Sequence, residues 1–215
     1  MMQKQTWHNN DRKKVWYITA GVGILLILMV GMQYTKRFQR QQEIAKKIVR
    51  FHVIANSDTE ADQNLKLAVR DAVGAKMGVL LSDAGNREEC EAIINEQMDE
   101  IIDTAKQVVR DMGYDYEVQA FLSDVDFPVK TYGSYTFPAG RYEALEVILG
   151  AGTGRNWWCI MYPNMCFSGS VYEVVDEEAK ESLREVLSPE EYEAVLQSGE
   201  YKLQFKYLTF LNNLR

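Results

Sequence analysis

The spacing of apolar residues changes several times along the chain, and each change predicts an element of secondary structure. Residues 15–32 (VWYITAGVGILLILMVGM) contain no charged side chain, and 18 residues is about the minimum length for a membrane-spanning helix. Residues 48–55 form a short apolar run rich in β-branched side chains, which predicts a strand. Apolar residues at helical spacing then predict two long helices, over residues 59–81 and 87–112.

The second half of the body alternates short apolar runs with turn residues, which predicts several strands in succession. Four such runs occupy residues 114–122, 129–136, 143–149 and 157–162. Glycines at 150, 152 and 154 separate the last two runs, and this arrangement predicts a β-hairpin. Ser188 and Pro189 predict the start of a short helix, and residues 201–207 alternate as in a half-buried strand.

This order of elements predicts an α+β fold. We expect a mostly antiparallel sheet with two long helices packed on one face, preceded by an N-terminal transmembrane helix. The predicted segments are a basic N-terminus (1–14), a transmembrane anchor or signal segment (15–32), a polar stalk (33–47) and an α+β domain (48–215). No small-x-small cleavage site follows the apolar run, so we interpret it as an uncleaved anchor, with a cleaved export signal as the alternative.

Charge is distributed unevenly between the two ends of the chain. Residues 1–50 hold ten Lys and Arg against two Asp and Glu, whereas residues 51–215 hold 14 against 29, a net of −15. An acidic body argues against nucleic-acid binding, because phosphate contacts require a basic face. The apolar run has a net +3 before it and +5 after it, which alone favours a cytoplasmic body.

Few residues are available for catalysis or metal binding. The chain has two histidines and three cysteines, so a metal site is poorly supported, and we predict no metal, no cofactor and no small-molecule substrate. His52 and Asp58 flank the first strand-to-helix junction, where a base oriented by a carboxylate is conceivable, but no nucleophile motif accompanies them. We therefore interpret Ser57 and Asp58 as helix-capping residues and predict no catalytic residue.

Four carboxylates support an alternative hypothesis, an exported cell-wall hydrolase using paired acids. These residues are Asp124, Asp126, Glu143 and Glu146. With 29 acidic residues in the body, some are expected to be neighbours by chance. The hydrolase hypothesis requires at least two of them to converge in a cleft.

Cys159 and Cys166 flank a bend at residues 163–164, and two interpretations of them stay open. In an oxidising exterior the two cysteines pair as a disulfide. In a reducing compartment they are two small buried hydrophobic side chains.

Aromatic and arginine side chains cluster between residues 137 and 158. These residue types are enriched at the anchors of protein interfaces. Trp157 and Trp158 are adjacent in a predicted strand, so their side chains point to opposite faces, one into the core and the other to a contact surface or beneath another element. The predicted partner-binding residues are Phe137, Arg141, Tyr142, Arg155, Trp157 and Trp158; burial in the sheet core is the alternative for each of them.

Three blocks of the sequence resemble the stage II sporulation protein R family. They are residues 50–58 (RFHVIANSD), 62–71 (DQNLKLAVRD) and 135–167, and the resemblance extends over about residues 47–170. It implies an exported signalling protein of endospore-forming bacteria, and not an enzyme. The implied partner is a membrane-embedded aspartic protease of the mother cell, which then processes the mother-cell sigma factor precursor.

The resemblance also implies a location. The protein is expected at the forespore membrane, with its body exported to the intermembrane space, either anchored or secreted after cleavage. This expectation opposes the orientation favoured by the flanking charges, and we adopt export.

Overall fold

The computed structural model describes residues 3–165 and 177–196, which divide into two units at Gln41. The first unit consists of most of one helix, α1 (Gln3–Ala45), which contains the predicted anchor and nearly all of the predicted stalk. Its segment from Arg12 to Ala45 is long and apolar enough to cross a membrane, and its large apolar side chains between Val15 and Phe38 are exposed. A helix without a polar face has no stable place on the surface of a water-soluble protein.

The second unit is an α+β body, which confirms the predicted fold class. After α1 its elements are β1 (Val49–Ile54), α2 (Glu60–Leu80), α3 (Arg87–Glu96), α4 (Met98–Asp111), β2 (Val118–Phe127), β3 (Lys130–Tyr132), β4 (Tyr135–Phe137), β5 (Gly140–Leu149), β6 (Asn156–Tyr162), α5 (Glu177–Val186) and α6 (Pro189–Leu196).

The main sheet has the strand order β2-β5-β1-β6, so the predicted hairpin between residues 143–149 and 157–162 is wrong. β1 lies between β5 and β6, parallel to the first and antiparallel to the second. The physical reason is burial: residues 49–53 are buried on both faces, and such a strand belongs in the centre of a sheet. The connection from β5 to β6 crosses the end of β1, where Gly154 N donates to the Ala55 carbonyl (2.9 Å).

The second predicted helix is not continuous. α2 matches the first predicted helix, but the second predicted helix is divided at Gln97 into α3 and α4. The apolar stripe continues across this break through Ile94 and Ile101, which are both fully buried. Helical spacing is therefore preserved on either side, and the pattern alone does not reveal the break.

The two faces of the sheet carry different layers. On one face, α2 packs over the sheet, and the Arg70 guanidinium of α2 lies 5.1 Å from the ring of Trp157. On the other face lies the β3–β4 hairpin, where Tyr132 accepts a hydrogen bond from Arg50 of β1 (3.0 Å). This hairpin turns at Gly133 (φ 54°), so the single strand predicted over residues 129–136 is two short strands.

The short helix predicted to start at Ser188 and Pro189 is α6, whereas α5 before it was not predicted. Ser188 caps α6 by accepting from the Glu191 backbone N–H (3.3 Å), and Glu191 returns a bond by accepting from the Ser188 backbone N–H (2.7 Å). The Tyr135 and Tyr192 hydroxyls are 2.6 Å apart and join α6 to β4. The strand predicted over residues 201–207 lies outside the described residues.

Candidate functional site

One row of side chains crosses all four strands on the hairpin face of the main sheet. It runs from Phe121 on β2 through Glu146 on β5 and His52 on β1 to Trp158 on β6, and each residue is the direct cross-strand neighbour of the next. His52 contacts both of its neighbours in the row, Glu146 and Trp158. The row combines two ionisable groups with two aromatic rings.

Arg50 lies beside this row, two residues before His52, and is fully buried. Its Nε donates to the Cys159 carbonyl (3.0 Å) and one Nη to the Tyr132 hydroxyl (3.0 Å), while the other Nη has no hydrogen-bond partner among the described residues. The guanidinium lies 4.2 Å from the ring centroid of Phe127 and 5.0 Å from that of Tyr142. Aromatic faces, and not a carboxylate, therefore stabilise this charge, and burial lowers the pKa of Arg50.

His52 is 1% exposed, and its Nε2 lies 2.7 Å from a carboxylate oxygen of Glu146. Its ring is stacked on Trp158, with centroids 4.8 Å apart and planes 6° from parallel. Burial, together with the neighbouring positive charge of Arg50, lowers the pKa of His52 to about 4, and burial raises the pKa of Glu146. The imidazole is therefore neutral at pH 7, beside a carboxylate.

The hypothesised pairing of His52 with Asp58 does not form. Asp58 accepts instead from the backbone N–H of Arg155 (2.7 Å) in the β5–β6 loop. The partner of His52 is Glu146, which comes from a strand 94 residues later; only the register of β1 against β5 reveals it.

The β1–α2 turn is held by a compact hydrogen-bond network around Asp62. The Asp62 carboxylate accepts from Ser57 Oγ (2.5 Å), Asn56 Nδ2 (2.9 Å) and Tyr116 Oη (3.1 Å). These bonds lower the pKa of Asp62. The N-cap of α2 is Thr59, whose side chain accepts from the Asp62 backbone N–H, so the prediction of Ser57 and Asp58 as caps is wrong.

Ser57 and Asp58 instead join the turn to its surroundings, Ser57 through Asp62 and Asp58 through the β5–β6 loop. Their conformation serves the fold, as the structural interpretation of this block predicted, although by different hydrogen bonds. The prediction used a capping box, which is a pattern of residues close in sequence. Such a pattern does not predict the long-range contact with the glycine-rich β5–β6 loop.

The four carboxylates of the hydrolase hypothesis do not converge in one cleft. Asp124 and Glu143 are cross-strand neighbours, but Asp124 lies 3.6 Å from Arg141 and Glu143 lies 3.6 Å from Arg87. Glu146 lies on the opposite face of the sheet beside His52. Asp126 is exposed at the end of β2. Across residues 3–165 and 177–196, no group of three or more His, Cys, Asp or Glu could hold a metal ion.

The six predicted partner-binding residues fall into two groups. Phe137, Tyr142 and Trp157 are buried, so they support the surface from within and present no area to a partner. Arg141 and Arg155 are exposed, and Trp158 is half-buried. Partner binding by these three stays a prediction.

Pairing of Cys159 with Cys166 stays a prediction. Cys159 is buried in β6, and Cys166 lies outside the described residues. Cys90 is a buried free cysteine, and burial raises the pKa of its thiol to about 12. Its thiol is therefore protonated and unreactive at neutral pH.

Fold and site together define a protein with a helix long enough to cross a membrane and an α+β body that carries a buried cationic and aromatic cluster. The family model for stage II sporulation protein R matches residues 45–172. Stage II sporulation protein R of Bacillus subtilis (strain 168) is 32% identical over 183 residues, which cover 80% of this chain and 82% of the relative. The chain belongs to the stage II sporulation protein R family. No solved structure matches it.

Proposed function

We propose that this protein is an exported intercellular signal of sporulation that activates a membrane-embedded aspartic protease of the mother cell. The protease then processes the mother-cell sigma factor precursor. The observation that carries this proposal is the family match over residues 45–172, which spans every strand of the main sheet.

The proposed location follows from α1 and from family membership. The protein acts from the forespore membrane, with its body in the intermembrane space, anchored by the helix or released after cleavage. An anchored body searches for its partner along a surface and not through a volume, which raises its effective concentration. The length and apolar character of α1 support this arrangement.

The proposed mechanism is binding and not catalysis by this chain. A bound signal can shift a protease to its active arrangement only by binding that arrangement more tightly than the inactive one. The surroundings of the carboxylates support this proposal: the neighbouring Asp124 and Glu143 each lie 3.6 Å from an arginine, and Glu146 lies on the opposite face of the sheet. A paired-acid hydrolase needs two carboxyl groups facing one substrate.

The test is reconstitution in a non-sporulating host. The full chain is produced with the cognate protease and the sigma factor precursor, and precursor cleavage is followed by immunoblot. We expect cleavage that depends on this chain and that survives the double substitution Asp124→Asn, Glu143→Gln. Absence of cleavage with folded, exported chain would contradict the proposal.

A matched pair of substitutions separates contact from catalysis. Trp158→Ala removes the half-buried ring and is expected to reduce cleavage, whereas Trp158→Phe retains an aromatic surface and is expected to preserve most of it. Circular dichroism of each purified variant establishes that the body is folded. If cleavage survives Trp158→Ala but not the double carboxylate substitution, the hydrolase alternative gains support.

A further inference from the structure

Two cations on the hairpin face have no carboxylate partner among the described residues, although the body has an abundance of carboxylates. They are Arg50, which is enclosed by aromatic rings, and Lys130, whose ammonium lies 5.8 Å from the ring centroid of Trp158. Burial and the charge of Arg50 lower the pKa of Lys130. Several other cations of the body do have such partners: Lys47 pairs with Glu191, Arg70 with Asp71, Arg141 with Asp124, Arg155 with Asp58, and Lys180 with Glu177. Lys66 has none within the described ranges, but it donates to the Gln63 side chain (2.6 Å) and to the Arg155 carbonyl (2.9 Å).

Exposed apolar side chains lie along the same face of the sheet. Phe121, at the other end of the cross-strand row from Trp158, is 38% exposed, and Val129, which precedes Lys130, is 58% exposed. Single exposed apolar residues are ordinary. Here they accompany a half-buried tryptophan and an ammonium that has no carboxylate partner in the described part of the chain, and this combination is typical of an interface anchor. We call Phe121, Val129, Lys130 and Trp158 the Trp158 patch.

We propose that the Trp158 patch binds an extended acidic segment of a partner protein, with a partner carboxylate at Lys130 and a partner apolar side chain on Trp158. The inference rests on the proposed function, in which that partner is the protease. Charge complementarity is the main support for this proposal. Residues 51–215 have a net charge of −15, so an acidic segment is repelled over most of the surface. It is attracted where a cation with no carboxylate partner among the described residues lies beside exposed apolar side chains, as Lys130 does beside Trp158 and Val129.

The partner chemistry follows from what surrounds the cations. A nucleic acid or an anionic membrane presents many phosphates, which the acidic body repels. Binding to either of these partners requires several basic residues at the contact. The patch offers one half-buried lysine, with the buried guanidinium of Arg50 near it, and three apolar side chains. This set fits one carboxylate and its apolar neighbours in a peptide.

Photo-crosslinking in membranes of the reconstituted host tests the patch directly. The photoreactive residue p-benzoylphenylalanine replaces Phe121 or Val129 in the full chain, and the protease carries an epitope tag. Val79 is the matched control, because it is 76% exposed and lies on α2, which packs on the other face of the sheet. We expect a protease adduct from positions 121 and 129 and none from position 79.

Charge variants at position 130 supply the second measurement. Reversal by Lys130→Glu places like charges together and is expected to lower the adduct yield from position 129 at least about tenfold. Lys130→Arg keeps the positive charge and is expected to retain the adduct, as is the control Lys106→Glu on α4.

The two readouts distinguish failure of the patch from failure of the proposed function. Adducts at positions 121 and 129 support the patch whether or not the precursor is cleaved. Absence of an adduct at both positions, equal adducts at position 79, or adducts with lipid or with a second copy of this chain would overturn it. Loss of precursor cleavage with the unmodified chain bears on the proposed function alone.

Discussion

Replacement of Gly154 by alanine should open the contact between the β5–β6 loop and the β1–α2 turn. A Cβ atom at position 154 would lie 2.2 Å from the Ser57 carbonyl oxygen and 2.6 Å from its carbon. Both are backbone atoms, so no side-chain rotation can relieve the overlap. The same loop is held by bonds from Gly154 N to Ala55 O (2.9 Å) and from Thr153 N to Asn56 O (3.3 Å).

The expected magnitude follows from these distances. The β5–β6 loop and the β1–α2 turn must separate by about 1 Å to reach an ordinary contact distance. Overpacking of this kind costs roughly 1–3 kcal/mol, and each hydrogen bond that is weakened adds up to about 1 kcal/mol. We therefore expect the free energy of unfolding to fall by about 2–4 kcal/mol for Gly154→Ala, a large part of the roughly 5–15 kcal/mol that is typical of a folded domain.

Urea unfolding of the full chain in mild detergent measures this change, followed by tryptophan fluorescence and by circular dichroism. Gly85→Ala is the matched control, because its new Cβ would meet only the end of the Glu89 side chain, at 3.4 Å. The control is expected within about 0.5 kcal/mol of the unmodified chain. If Gly154→Ala matched the control, the close contact at Ser57 would not exist as described.

Three further predictions concern buried polar groups. Asp62→Ala should destabilise the body by about 2 kcal/mol, because it leaves three half-buried donors without their acceptor. The exposed Asp71→Ala should have little effect, and urea unfolding compares the two variants. His52 should make the fold acid-sensitive. Its pKa of about 4 in the folded state lies below the unfolded value of about 6.5, so its contribution is present above about pH 6.5 and is lost towards pH 4. The loss between pH 7 and pH 5 is at most about 2 kcal/mol, and His52→Gln should flatten that part of the stability profile. Tyr192→Phe should cost about 1 kcal/mol, because it removes the hydroxyl that lies 2.6 Å from that of Tyr135; a thermal melt with no shift would contradict this.

The elements with a strong local pattern were predictable from sequence. The 18-residue uncharged run lies within a single helix, α2 starts and ends within one residue of its predicted bounds, and the order of elements indicated the α+β class. Local patterns did not reveal strand neighbours. β1 separates β5 from β6 because it is buried on both faces, and nothing in the glycine-rich connection distinguishes a crossing loop from a tight turn.

The candidate site was only partly predictable for the same reason. Trp158 was identified from its residue type and from the opposite orientation of its neighbour, and the structure places it half-buried on the hairpin face. Lys130 was not identified, because its approach to Trp158 depends on how the β2–β3 connection crosses the sheet. Phe137 and Tyr142 have the residue types of an interface, but they surround the guanidinium of Arg50 within the core.

The proposed signal acts from outside the mother cell, and the sigma factor precursor is processed inside it. The most direct measurement uses spheroplasts of a non-sporulating host that produce the protease and the precursor, to which the purified full chain is added externally. The account predicts precursor cleavage on addition of the folded chain and none on addition of heat-denatured chain. Cleavage only when the chain is retained in the cytoplasm with the precursor, or no cleavage from either side, would contradict it.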